Sequence, residues 1–441
     1  MIPVSTRIKA AFRNDSMLKH YKLQFVNEEA EDIYNDSITE ESMEIVENLC
    51  SEEQLHYGRC EACSCEFEML NLYESLNGCV FDLYLQLGDY DDEIFTVGRY
   101  IIEGETVSND KKVTGITAYD IMYYLRDLDV TYWYYNELSF PMTLKQIRDS
   151  LFEYIGQAQE TIELINDDIV MQNGPLDGEN YVTFATIMES ICEVDGVFGH
   201  IGRDGEFKYV SLISQEVEET YPGEDTYPSS ETFPSSIRST SYDYGQHLVK
   251  YDMWWENYKC KMIDRVQLRN KTGAAVVEYA LPGKEEGTNI YVIQNNWCVW
   301  EASAADLQKM AKRFAEKVQK VTYTPVEIET KMDLSMEVGD NISFITTDNQ
   351  RIFTYMLTRD MKGVHSAFDK IVSTGYEEFI NSSPNTDGSI VDMQDNISDL
   401  DDRVSQIEAG DGNIRILSVE ELPSAPEKNV LYLIQGKVYV S

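Results

Sequence analysis

The stretch FDLYLQLGDYDDEIFTVGRYIIEGE, residues 81–105, decides the fold class. Phe81, Leu83, Leu85 and Leu87 alternate with polar neighbours, and a second alternating run follows an acidic turn. Period two over such lengths is the signature of half-buried strands. Working outward, YKLQFV (21–26) and CSCEFEML (63–70) carry the same alternation. Many short strands with turn signals between them predict a small β-barrel or sandwich over residues 1–117. Residues 5–14 read as a short helix ahead of it.

The period changes near residue 118. Residues 118–127 read as a short helix, and TLKQIRDSLFEYI (143–155) as a clear one. Its stripe is Leu144, Ile147, Leu151 and Ile155, with Thr143 as N-cap. TFATIMESICEV (183–194) predicts a second helix with Phe184, Ile187 and Ile191 inward. VFGHIGRDGEFKYVSL (197–212) predicts a hairpin turned at Asp204-Gly205. Residues 118–215 therefore form an α/β insert.

In EVEETYPGEDTYPSSETFPSS (216–236) an aromatic–proline pair recurs every six residues, with acids and no Lys or Arg. Proline excludes a helix interior or a central strand. The segment 216–239 reads as a stiff acidic linker, or as an arm that lays its aromatics on a neighbour. Strands return over 240–380, around one helix at 303–320 with Leu307, Met310, Ala311, Phe314 and Val318 on one face.

Residues 381–389, NSSPNTDGS, are a linker. In IVDMQDNISDLDDRVSQI (390–407), Ile390, Met393, Ile397, Leu400, Val404 and Ile407 recur at alternating spacings of three and four. So narrow a stripe is an a/d seam that packs against copies of itself or a partner. β-branched residues at a favour three strands over two. Arg403 at g and Glu408 at e make a candidate interchain ion pair. The coiled coil (390–409) is short, roughly 27 Å, so it sets register in an assembly held together elsewhere. The last segment, 410–441, is too short to fold alone. Its apolar hairpin, VLYLIQGKVYV, turns at Gln435-Gly436, and three copies on a stalk would share a core.

The 441 residues carry 36 Lys and Arg against 78 Asp and Glu, a net charge of −42. A trimer would carry about −126. Stable sequence-independent nucleic-acid binding needs a basic surface that this balance lacks. The acid either solubilises the surface or lines a conduit that a polyanion passes without sticking. No run approaches a bilayer-spanning helix, and the N-terminus lacks a signal-peptide apolar core. The expected product is a cytoplasmically made protein with no membrane span.

Eight cysteines in this length are no disulfide framework. Cys50, Cys60, Cys63, Cys65 and Cys79 invite a zinc reading. On a strand, however, Cys63, Cys65, Phe67 and Met69 share one face while Cys60 falls on the other. Buried free thiols are the better account, and no metal or cofactor is expected. His20, His56, His200, His247 and His365 fit no metal or catalytic spacing. No nucleophile elbow or phosphate loop is present. A Cys–His pair could arise only through proximity in space. The working parts read as surfaces rather than reactive atoms, so no enzyme activity is expected.

Five segments in order resemble the hub proteins of phage tails, namely the N-terminal module of tail-associated lysins and the hub beneath the spike of contractile phages. SITEESMEIVENLCSEEQLHYGRCEACSCEFEM (37–69) is similar to the first-barrel segment. GITAYDIMYYL (115–125), with Tyr119 and Asp120 at its junction, resembles the barrel-to-helix crossing. TFATIMESICEVDGVFGHIGRDGEFKYVSL (183–212) resembles the helix-plus-hairpin element. YTPVEIETKMDLSMEVGDNISFITTDNQ (323–350), with the turn Glu337-Val338-Gly339-Asp340, resembles the return strands, and GVHSAFDKIVSTGYE (363–377) the closing strand.

The resemblance spans about residues 1–380. It implies a mixed β-rich α+β fold: two hub-type β-barrels (1–117 and 240–380), an α/β insert, then a trimeric coiled coil and a small β tip. It implies a homotrimeric ring adapting a sixfold tail tube to a threefold tip. The partners would be a distal tail protein or tube above and tip or fibre proteins below, with tape measure protein and passing DNA in the lumen. The location would be the virion. Many hubs of this kind continue into a peptidase or muramidase domain; here a short stalk follows the hub segments, so wall-degrading activity is not expected. The competing reading is a host-binding tip protein, or the hub of a contractile injection system.

Overall fold

The computed structural model describes residues 12, 19–26, 32–34, 37–72, 74–88, 94–109, 112–172, 181–212, 242–243, 248–270, 273–346, 350–364 and 367–379, and the strands 415–418, 430–434 and 437–440. The chain is β-rich with few helices, and its backbone is organised by one eleven-stranded sheet. The strand order is Leu248–Trp255, Val326–Lys331, Phe368–Ser373, Thr358–Lys362, Glu44–Asn48, Ser64–Leu70, Val113–Tyr119, Ile94–Val107, Val80–Leu87, Lys19–Phe25 and Ile33–Tyr34. The two β regions read as separate barrels thus meet edge to edge. Thr358–Lys362 pairs antiparallel with Glu44–Asn48, with Arg359 opposite Glu47.

Alternation in the sequence becomes alternation in burial. Along Val80–Leu87 the residues Phe81, Leu83, Leu85 and Leu87 are buried while Asp82, Tyr84 and Gln86 are less so. Pairing with Ile94–Val107 shifts register between Leu83 and Tyr84, and a second shift falls between Ile102 and Gly104. Such bulges bend and twist a long strand. Two apolar cores result. One lies against the first β region and takes in Tyr21, Leu23, Phe67, Phe81 and Leu83, with Met332, Leu334 and Met361 from the second. The other joins the helices of the insert to the rest of the second β region.

The helix Leu144–Ile155 starts at a reciprocal capping box. Thr143 Oγ1 accepts from Gln146 N at 3.1 Å, and Thr143 N donates to Gln146 Oε1 at 2.9 Å. Its expected stripe is buried, as are Phe184, Ile187 and Ile191 on Phe184–Val194. The helix Ala304–Val318 buries Leu307, Met310, Ala311, Phe314 and Val318. The hairpin Phe198–Ile201 with Phe207–Val210 turns through Gly205 at φ +79.

Between 118 and 127 the structure differs from the expectation. Tyr119 ends a strand and only Met122–Leu125 is helical. A second helix, Thr131–Asn136, lies where the aromatic run TYWYYN carries no helical stripe. Its formation follows from tertiary burial of Trp133 and Tyr134, which overrides weak local propensity. The short helix Trp297–Glu301 was also not foreseen.

At the C-terminus, Val430–Ile434 pairs antiparallel with Lys437–Val440, and Arg415–Ser418 lies parallel to the former. The helix expected at 5–14 (save Phe12), the segment 216–239, the linker 381–389 and the coiled coil lie outside the described residues. No helix among the described residues is long and apolar enough to cross a membrane.

Candidate functional site

Where the two β regions meet, charged residues occupy inward strand positions. On Thr358–Lys362 the buried positions are Arg359 and Met361. On Phe368–Ser373 Asp369 is buried beside Ile371, and on Glu44–Asn48 Glu47 shares its face with Ile45. Strand pairing sets Arg359 between Glu47 on one side and the Asp369 strand on the other.

The Arg359 guanidinium is fully buried. It donates to Met336 O at 2.7 Å, to Asp333 O at 2.8 Å and to Asp369 Oδ2 at 2.7 Å, and stands 3.6 Å from Glu47 Oε2. A second arginine reaches in from the insert hairpin. Arg203 donates to Leu334 O at 2.5 Å and to Met336 O at 2.8 Å, with its Nε 3.5 Å from Glu47 Oε1. Asp333 Oδ1 accepts from Ser335 Oγ at 2.7 Å, and Asp333 N donates to Asp369 Oδ2 at 3.1 Å. The two planar forks therefore clasp residues 333–336, the crossover between two strands of the second β region. A planar fork can serve several acceptors at once, which an ammonium cannot do with the same geometry.

The crossover ends at Gly339, φ +88, whose N donates to Met356 O at 2.7 Å. A Cβ there would stand 2.4 Å from Val210 Cγ1 of the hairpin, so the residue must be small. First β region, insert and second β region all converge on this crossover.

Burial alone would raise the Glu47 carboxyl, but Arg203, Arg359 and His200 outweigh it and hold the group below its ordinary value. Both arginines are engaged by carbonyls and carboxylates away from solvent. Such an arrangement fixes the relative placement of elements and offers no open acid, base or nucleophile.

One pair inaccessible to sequence reasoning does come together: Cys63 Sγ lies 3.9 Å from His200 Nδ1. Both are buried, Cys63 with 4% and His200 with 8% exposure. Burial first, then the Asp120 and Glu47 carboxylates, pushes the thiol well up, and burial pushes the imidazole down. A nucleophilic thiolate requires the opposite shifts. The neighbouring Asp120 is pushed up to about 7 by burial, although its Oδ1 accepts from Met122 N at 3.0 Å. The pair belongs to the packed junction.

Cys60 packs in one core while Cys63 and Cys65 pack in the other, so the C-x2-C pair is split across the sheet. All eight cysteines are free thiols, seven of them buried.

Ile390, Met393, Ile397, Leu400, Val404 and Ile407, with Arg403 and Glu408, lie outside the described residues. The clasp residues Arg203, Arg359, Asp369 and Glu47 went unrecognised in the sequence. Their signal was present: each strand member has the parity of apolar neighbours, as Arg359 has that of Leu357 and Met361.

No protein-family model and no curated protein matches the sequence. Among solved structures, the chain is similar to a tail protein from Neisseria meningitidis MC58. The identity is 12% over 81% of this chain and 96% of that one, with a TM-score of 0.47. It is also similar to a 43 kDa tail protein of prophage MuSo2 from Shewanella oneidensis, at 11% identity over 80% and 98% with a TM-score of 0.45. Prophage tail protein gp18 from Listeria monocytogenes EGD-e follows, at 11% identity over 81% and 95% with a TM-score of 0.42. All three of these solved structures are described as tail proteins, two of them of prophages.

Proposed function

We propose that the chain is a structural hub of a phage tail tip or baseplate. Three copies close around an axis, join a sixfold tube to a threefold tip, and leave an acidic passage for DNA. The observation that carries this reading is the order of elements. Each of the five hub-like segments falls on a matching element. Residues 37–69 contain the strand Glu44–Asn48 and all but the last residue of Ser64–Leu70, and 115–125 runs from a strand into a helical turn. Residues 183–212 form a helix and hairpin, while 323–350 and 363–377 contain Val326–Lys331, Asn341–Ile345 and Phe368–Ser373.

The trimer rests on the heptad seam with β-branched residues at a. The passage rests on the charge of −42: a wall of like sign repels phosphates and lowers friction during ejection. The clasp suits a scaffold, since it locks three parts of the chain into one unit. A distal tail protein or tube would sit above, tip or fibre proteins below, and tape measure protein and DNA inside. No catalytic role is assigned.

The test is the position of the protein in purified virions, by antibody labelling and averaged density. The reading expects threefold density at the distal tail end. Location in the capsid, or absence from particles, overturns it.

A further inference from the structure

We infer that the tyrosine-rich face around the helix Thr131–Asn136 is a docking surface for an arginine-bearing segment of another protein. Thr131–Asn136 buries Trp133 and Tyr134 and turns Tyr132 and Tyr135 outward. Tyr132 is 64% and Tyr181 62% exposed, high values for such large rings.

The segments that carry the two are joined by hydrogen bonds. Val130 N donates to Val182 O at 2.9 Å, and Val182 N donates to Thr131 Oγ1 at 2.9 Å. The Tyr181 hydroxyl donates to Asp127 O at 3.2 Å. Tyr154, on Leu144–Ile155, packs its ring 6.4 Å from that of Trp133. The acids flank the helix: Asp129 Oδ1 accepts from Thr131 N at 2.8 Å at its start, and Glu137 is the C-cap, its N donating to Trp133 O at 2.9 Å. The strand Arg415–Ser418 passes next to the helix Leu144–Ile155 and leaves Tyr132 and Tyr181 exposed.

The chemistry selects the occupant. Asp129 Oδ1 already accepts from Thr131 N, and among the described residues no ion pair joins Asp129 or Glu137 to a cation. Exposed tyrosine faces beside carboxylates that have no cation partner among the described residues suit a guanidinium, which stacks on the ring while its N–H groups reach the acid. Tyrosine also supplies contact area at low entropic cost, as in binding loops.

The test uses the full chain and two labelled probes, a hepta-arginine and a hepta-lysine peptide, followed by fluorescence anisotropy. Net charge alone attracts both, so the informative quantity is their ratio. The arginine peptide should bind roughly five- to tenfold more tightly, from stacking on two exposed rings. Tyr132→Ala with Tyr181→Ala should abolish that preference, whereas Trp254→Ala, at an exposed site elsewhere, should preserve it. Glu137→Gln should weaken the arginine peptide and steepen no salt dependence. Equal affinity for the two peptides, or a preference unchanged in the tyrosine variant, overturns the inference. So does displacement of the arginine peptide by an uncharged chitin oligomer, which would assign the face to glycan.

Discussion

Replacing Arg359 by methionine tests the clasp directly. Methionine fills part of the space and keeps the strand register, but it removes three donated hydrogen bonds of 2.7–2.8 Å. Met336 O retains Arg203 as a donor at 2.8 Å and Asp369 Oδ2 retains Asp333 N at 3.1 Å, so the losses are the donor to Asp333 O and the cation beside Asp369. A buried carbonyl left without its donor costs about 1–3 kcal/mol. A buried carboxylate stripped of its cation brings the total for a broken pair to about 3–5 kcal/mol. That is a large share of the roughly 5–15 kcal/mol that holds a folded domain.

The assay is equilibrium unfolding in urea, followed by tryptophan fluorescence, for wild type, Arg359→Met, Asp369→Leu and the double variant. The double variant removes both charges, and a buried ion pair exchanged for apolar groups is often near neutral. It should therefore be at least about 1.5 kcal/mol more stable than the sum of the single losses predicts. A cost below about 1 kcal/mol for Arg359→Met would refute the reasoning, as would additivity within about 0.5 kcal/mol.

Two further outcomes follow from local geometry. Asp120 is raised to about 7 in the fold by burial, against an unfolded value near 3.9. The folded chain keeps a proton that the unfolded chain has released. The stability from this group is therefore full below about pH 4 and is lost as pH rises through 7. Asp120→Asn should gain on wild type by about 1–4 kcal/mol between pH 5 and pH 8, measured by denaturation at each pH, and a constant difference contradicts the assignment. Thr143→Ala leaves Gln146 N without its acceptor while the bond from the backbone N of residue 143 to Gln146 Oε1 stays available, so it should cost about 1 kcal/mol in the same unfolding assay.

Strands and long helices were legible because a single physical signal dominates them. Phe81 through Leu87 bury every second residue, and Thr143 with Gln146 writes its own helix start. The helix Thr131–Asn136 was not legible, since its aromatic residues favour strands in isolation and only tertiary burial makes them helical. The clasp was half legible. Parity marked Arg359, Asp369 and Glu47 as inward, but their mutual pairing depends on strand order. That order brings residues 47 and 359 together across more than three hundred positions, and local pattern carries no information about it. Cys63 and His200 met for the same reason, and their shifts away from reactivity came from burial that spacing could not reveal.

The claim on which the account turns is that three copies assemble. Light scattering on the purified full chain at micromolar concentration measures it most directly. The account predicts a mass near 152 kDa, three times the chain's 50.7 kDa, and a loss of stability of that species on Ile397→Asp. A monodisperse 50.7 kDa particle at every concentration up to the millimolar range would contradict it.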